Sequence, residues 1–168
     1  MHLLHGPPDQ LRDRLDFRVR DLQQQLVVHL QEDPGLEPLL LEVARNHKET
    51  GASANAAFGL ARRGIEEGIE LYMAATDQAF EEGQPEAIQY LSGLPLIGEK
   101  AKPYVRERLL TYKSETALLT LIEIVKALKD EKAIEQLQEL AYDASRPVSI
   151  QKAAKGAIEA LTKTAPDK

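Results

Sequence analysis

The chain contains no cysteine and no tryptophan, and its 168 residues include only three phenylalanines and five tyrosines. Without thiols there can be no disulfide, no thiolate metal site and no cysteine nucleophile. With so few rings, the core has to be built from Leu, Ile, Val and Ala, which suits helices that approach one another closely. Long apolar runs are missing too. The longest uncharged stretch in the middle of the chain, residues 87–98, has 12 residues, against the roughly 20 that a spanning helix needs. The N-terminal sequence MHLLHGPPDQ has neither a basic leader nor a long apolar stretch, so secretion is not expected and the cytoplasm is the expected location. Nowhere does the sequence alternate apolar and polar residues with a strand period, and it carries no hairpin signal. The expected fold class is all-α.

Charge of one sign is absent from a whole segment. The net charge is only -6, but residues 64–99 hold eight carboxylates and not one Lys or Arg. Such a segment repels phosphate backbones and attracts basic partners. Nucleic acid is therefore not an expected partner, and Glu66, Glu67, Glu70, Asp77, Glu81 and Glu82 are the expected partner-binding residues, for a basic protein. The competing reading is that these side chains form the solvated outer face of a helix pair.

What is present is helical periodicity. Over residues 9–31, Leu15, Val19, Leu22 and Leu26 follow a 4-3-4 spacing opposite a face of Arg, Asp and Gln, the pattern of a long amphipathic helix. Asp9 after Pro7-Pro8 suits its N-cap, and Asp33-Pro34-Gly35 ends it. The stripe is narrow, so this helix is expected to cap the rest of the fold or to pair with a second copy in a homodimer. Further helices are predicted over 36–46, 52–63, 65–80, 86–94, 99–112, 114–129, 131–142 and 147–164. Gly64 is a predicted stop, Gly68 a weakness, Pro95 a break, Pro103 a first-turn proline and Ser114 an N-cap. The domain plan is a capping or self-association helix at 1–34, a repeat domain at 35–164 and a disordered tail at 165–168.

The second helix of each pair carries an apolar doublet followed three residues later by another small or apolar residue. These anchors are Ala57-Phe58 with Ala61, Tyr90-Leu91 with Leu94, Ile124-Val125 with Leu128, and Ala157-Ile158 with Leu161. They recur every 33 or 34 residues, the mark of a helical array whose units bury their apolar faces only by stacking. The best-formed unit, KDEKAIEQLQELAYDASRPVSIQKAAKGAIEAL, runs over residues 129–161. It opens on Asp130-Glu131, places Ala133-Ile134, Leu137 and Leu140 on its first helix, Asp143 and Ser145 in its turn, and Val148, Ala153-Ala154, Ala157-Ile158 and Leu161 on its second. This string resembles the short HEAT-like repeats of bilin-lyase-type proteins. Residues 36–64 are similar to the same family through LEPLLLEVA and the small residues Ala54-Asn55-Ala56-Ala57. The two middle units share only the period, because Pro95 and Gly98 interrupt one and Ser114 to Thr116 replace the Asp-rich turn of the next. Ankyrin repeats have the same period, but their TPLHxA hairpin is missing. The resemblance implies an α-solenoid of about four antiparallel helix pairs, with Asp143 and Ser145 capping the helix that follows them.

Nothing in the chain nominates a catalytic centre. His2, His5, His29 and His47 lack the helical spacing of a metal site, and HExxH, Glu-x-x-His pairs, a phosphate-binding glycine loop and G-x-S-x-G are all missing. Some HEAT-like proteins excise damaged DNA bases, but that work needs a basic groove. The expected function is therefore non-catalytic: a protein-binding scaffold, adaptor or assembly factor, with no cofactor and no membrane contact. The alternative implied by the resemblance is a lyase-type or accessory protein that cradles a chromophore or another small molecule. It would use Tyr72, Tyr90, Tyr104 and Tyr112 as lining, residues that otherwise serve core or interface packing.

Overall fold

A computed structural model describes residues 34–46 and 51–163. The N-terminal amphipathic helix, its homodimer role, all four histidines and the 165–168 tail lie outside the described residues. Within them the chain is all-α: α1 (Glu37–Asn46), α2 (Gly51–Arg62), α3 (Glu66–Glu81), α4 (Ala87–Gly93), α5 (Lys102–Thr111), α6 (Glu115–Ala127), α7 (Ile134–Tyr142) and α8 (Val148–Lys163). Short 3-10 turns precede α1, α5 and α7 and follow α4. Pro95 falls in the turn Leu94–Leu96 that ends α4, and Pro103 sits in the first turn of α5, where a missing N–H costs least. No helix among the described residues is long and apolar enough to cross a membrane. Two compact units divide within α3, one ending at Tyr72 and the other beginning at Met73.

In the first unit α1 packs on α2. Small residues make α2 a thin helix, and Ala54, Ala56, Ala57, Leu60 and Ala61 are buried along it. It stops because Gly64 takes a left-handed φ of 78°, so that the amides of Gly64 and Ile65 turn back to the carbonyls of Ala61 and Leu60 at 2.9 and 3.1 Å. This is the Schellman closure of a helix end. The chain then re-enters a helix at α3, and Gly68 is where α3 meets α2. A Cβ at Gly68 would stand 2.3 Å from Leu60 Cβ. The residue that looks like a flaw in α3 is thus what lets it approach α2.

In the second unit the packing has two interleaved rows. α4 packs on α6 and α6 on α8, while α5 packs on α7. The rows are joined where α5 meets α6 and α7 meets α8. α6 lies between several neighbours, and it buries a broad apolar face while Thr116, Thr120 and Glu123 form a narrow outer stripe. Its Ala117, Leu118, Leu121, Ile122, Ile124 and Val125 are all buried. Most anchors of the sequence period fall inside: Leu91, Leu94, Ile124, Val125, Ala157 and Leu161 are buried, while Tyr90, Leu128 and Ile158 are half-buried. Ser114 adopts the extended backbone of an N-cap, and its Oγ accepts from the Ala117 amide at 3.3 Å. α6 ends in a second Schellman closure, with the Lys129 and Asp130 amides bonded to Lys126 and Val125. Here a lysine, at φ 49°, occupies the position that favours glycine.

Two details of residues 129–161 bear on how they pack, and the first differs from expectation. Asp143 Oδ1 accepts from the Ser145 amide at 2.9 Å and the Ser145 hydroxyl at 2.6 Å, so it holds the turn closed instead of capping α8. The helix reaches back with its own side chain, as Gln151 Nε2 donates to the carbonyls of Asp143 and Arg146. Short polar side chains satisfy their own turn more readily than a distant helix end. The second detail is Asp130, which is 3% exposed. Arg106 Nη1 on α5 bridges both its carboxylate oxygens at 2.9 Å, a charge-assisted contact from α5 to the turn that precedes α7.

Candidate functional site

The six acidic residues singled out in the sequence all belong to α3 or follow it directly, and the structure sorts them into three kinds. Glu66 and Glu70 are exposed, one helical turn apart on one face, and have no ion-pair partner among the described residues. Glu67 is held. Arg45 of α1 grips it with two bonds of 2.6 Å, and those bonds keep the Glu67 carboxyl below its usual range while raising the Arg45 guanidinium. Glu81 is exposed without an ion-pair partner among the described residues. Glu82 is exposed as well, but takes amide hydrogens from Gln78 at 2.7 Å and Gln84 at 2.5 Å, which orient its carboxylate without neutralising it.

Asp77 is the organising centre of the second unit's polar side chains. Arg108 Nε donates to its Oδ1 at 2.8 Å and Arg108 Nη2 to its Oδ2 at 2.5 Å. Two phenols, Tyr104 and Tyr112, add bonds to Oδ1 at 2.8 and 2.7 Å, and their hydroxyls lie 3.1 Å apart. Tyr104, Arg108 and Tyr112 are each four residues apart, which sets all three on one side of α5 and its C-terminal end. The guanidinium also stacks on the Tyr104 ring, 4.7 Å from its centroid. Partial burial pushes the Asp77 carboxyl up, but Arg108, Tyr112 and Tyr104 together outweigh it and hold it below the usual value. Tyr104 moves the other way, far above an ordinary phenol, because it is buried and faces Tyr112 and the Asp77 charge. Asp77 and Arg108 therefore stay an ionised pair at neutral pH, and Tyr104 stays a neutral donor.

Beside this cluster runs an open groove of about 480 Å³, lined by Asp77, Phe80, Glu81, Arg108, Thr111, Tyr112, Lys113 and Ser114. Its aromatic wall is the tilted pair Phe80 and Tyr112, with centroids 4.7 Å apart. Of the four tyrosines considered as pocket lining, Tyr112 lines this groove. Tyr104 is buried beneath it with its hydroxyl on Asp77. Tyr72 is buried in the first unit against Phe58, with centroids 5.0 Å apart. A second groove, of about 410 Å³, lies over the Arg106–Asp130 pair and is lined by Glu99, Lys102, Pro103, Lys129, Glu131 and Lys132 as well. Lys102 is bonded to Glu99 at 2.5 Å, so this groove carries both charges in near balance. Among the described residues no three His, Asp or Glu side chains gather to hold a metal ion.

Sequence reasoning found the carboxylates but not the cations that answer two of them. Arg45 and Arg108 stand 22 and 31 residues from their partners. The four-residue spacing of Tyr104, Arg108 and Tyr112 was the available signal that one helix side carries a polar cluster. Compared with family models, curated proteins and solved structures, the chain matches none.

Proposed function

We propose that the chain is a short HEAT-like α-solenoid of about four antiparallel helix pairs that serves as a non-catalytic protein-binding scaffold, adaptor or assembly factor in the cytoplasm. The observation that carries this reading is the two-row packing, with α4, α6 and α8 in one row and α5 and α7 in the other. A chain that stacks its units this way meets only its neighbours and presents long rows of side chains to a partner. The 33–34 residue period, most of whose anchors in the second unit are buried, supports the same reading.

The surfaces we assign to a basic partner are the acidic ones, Glu66 and Glu70 in the first unit and, separately, Glu81 and Glu82 in the second. Glu66, Glu70, Glu81 and Glu82 keep their charge unneutralised by any Lys or Arg among the described residues. Asp77 and Glu67 contribute less than a count of carboxylates suggests, since each is already paired with an arginine. Electrostatic attraction of this kind speeds association and fades as salt shortens the screening length to roughly 8 Å near physiological strength.

The test is charge reversal that leaves Glu67 alone. Changing Glu66 and Glu70 together to Lys is expected to keep the helical circular dichroism and to lower the melting temperature only slightly, since Glu66 sits in the first turn of α3, where a carboxylate suits the helix dipole and a cation does not. Capture of basic proteins by the immobilised variant should fall at low salt to the level that the wild type shows at high salt. Unchanged capture at low salt would mean that these side chains only keep the protein soluble. Changing Glu67 to Lys serves as the contrast, since it breaks the Arg45 pair as well.

A further inference from the structure

We propose that the outward flank of α1 is the docking surface for the segment just before it in the chain, with Leu22 and Leu26 seated on Leu36, Leu39 and Val43. This goes beyond the protein-binding reading and does not depend on what Glu66 and Glu70 meet. α1 is apolar over more of its girth than one neighbour covers. Leu40 and Ala44 are buried, and α2 is the helix that α1 packs on. Leu39 and Val43 stand about 100° further round the helix. There Leu39 is 45% exposed, and Leu36 and Val43 are half-buried beside it. The rest of the first unit lies the other way. Glu37 and Arg45, roughly 80° from Leu40 and Ala44 in the opposite sense, pair with Arg63 just after α2 and with Glu67 in the first turn of α3. So α2 and the start of α3 account for one flank and leave the other apolar and open.

Chain length selects the occupant. The amphipathic helix that the sequence predicts over 9–31 is joined to α1 by residues 32–36, which span at most about 18 Å. A connection this short sets two helices side by side and antiparallel. Counted outward from it, Leu26 comes level with Leu39 and Leu22 with Val43. The stripe of Leu15, Val19, Leu22 and Leu26 is narrow, which suits one open flank and not a surrounding core. Its opposite face of Arg, Asp and Gln then points outward and gives the first unit the polar outer surface that the end of a stacked fold needs. A second copy would have to find the flank from solution, whereas the tethered segment meets it at an effective concentration on the order of millimolar.

The experiment uses the whole chain, labelled with ¹⁵N. Because the chain has no cysteine, a nitroxide attached through Gln23→Cys reports from a single position. Antiparallel docking predicts that the amide signals of residues 42–46 lose most of their intensity while those of residues 34–37 keep more, since position 23 then lies level with the far end of α1. A segment that merely trails from α1 gives the reverse gradient and overturns the assignment. Leu22→Asp and Leu39→Asp, each added to the labelled chain, should abolish the loss at residues 42–46. The signals of α2 and of α5 to α8 show whether each variant keeps its fold, so release of the segment is separable from unfolding. Persistence of the loss in both folded variants would mean that the apolar stripe does not seat the segment, and would overturn the assignment. Mixing nitroxide-labelled chain without ¹⁵N and ¹⁵N chain without nitroxide tests the second copy. No loss is expected at residues 42–46 of the mixture, and a loss there would give the flank to a second copy and overturn the assignment as well.

Discussion

Replacing Arg106 by alanine is expected to cost the fold about 3–5 kcal/mol, the range for stranding a buried charge. Asp130 is 3% exposed, and Arg106 is the cation that answers it. Without the guanidinium the carboxylate stays in a place that water scarcely reaches, at the junction where α6 closes and the next unit begins. The cost belongs to the stranded group more than to the bond. Removing both charges together, as in Arg106→Met with Asp130→Leu, should therefore cost much less than removing Arg106 alone. Urea unfolding of the single and double variants measures the difference. A single variant within about 0.5 kcal/mol of wild type, as for an ordinary surface change, would show that the carboxylate finds water after all.

The second large effect has an unexpected sign. Glycine in the middle of a helix is less favourable than alanine by about 1 kcal/mol, so Gly68→Ala should on propensity alone stabilise α3. The structure predicts the reverse. The added Cβ would fall 2.3 Å from Leu60 Cβ and 3.0 Å from the Ala61 nitrogen, and no side-chain rotation relieves a clash with backbone. α3 has to lift off α2, at the roughly 1–3 kcal/mol typical of overpacking, which outweighs the propensity gain. Gly156 in α8 provides the control, because a Cβ there meets nothing within 4 Å. Gly156→Ala should raise the melting temperature and Gly68→Ala should lower it. If both raise it, α2 and α3 do not approach as closely as described.

These two sites mark the border between what could be read from the chain and what could not. Helix positions were legible because their signals are local. Gly64, Ser114, Pro95 and Pro103 each act within a turn of their own position, and each does in the structure what its chemistry suggests. The apolar anchors were legible because burial imposes a period. Gly68 was misread as a weakness, since its purpose lies in a neighbouring helix and not in its own. The charges followed the same rule. A segment without Lys or Arg reads as uncompensated, yet Arg45 and Arg108 arrive from other helices to pair with Glu67 and Asp77. Which carboxylates remain open is decided by packing between residues far apart in the chain. Asp143 shows the converse, a local turn bond to Ser145 winning over the helix cap that was expected of it.

The central claim is that in the second unit α4, α6 and α8 pack in one row and α5 and α7 in another. Methyl-labelled NMR measures this directly through contacts between side chains of different helices. The account predicts strong cross-peaks linking Leu91 on α4 and Leu161 on α8 with the apolar residues of α6, and linking Val105 or Leu109 on α5 with Leu137 or Leu140 on α7. A set of cross-peaks dominated instead by α4 with α8 and α5 with α8, as in a closed helical bundle, would contradict it.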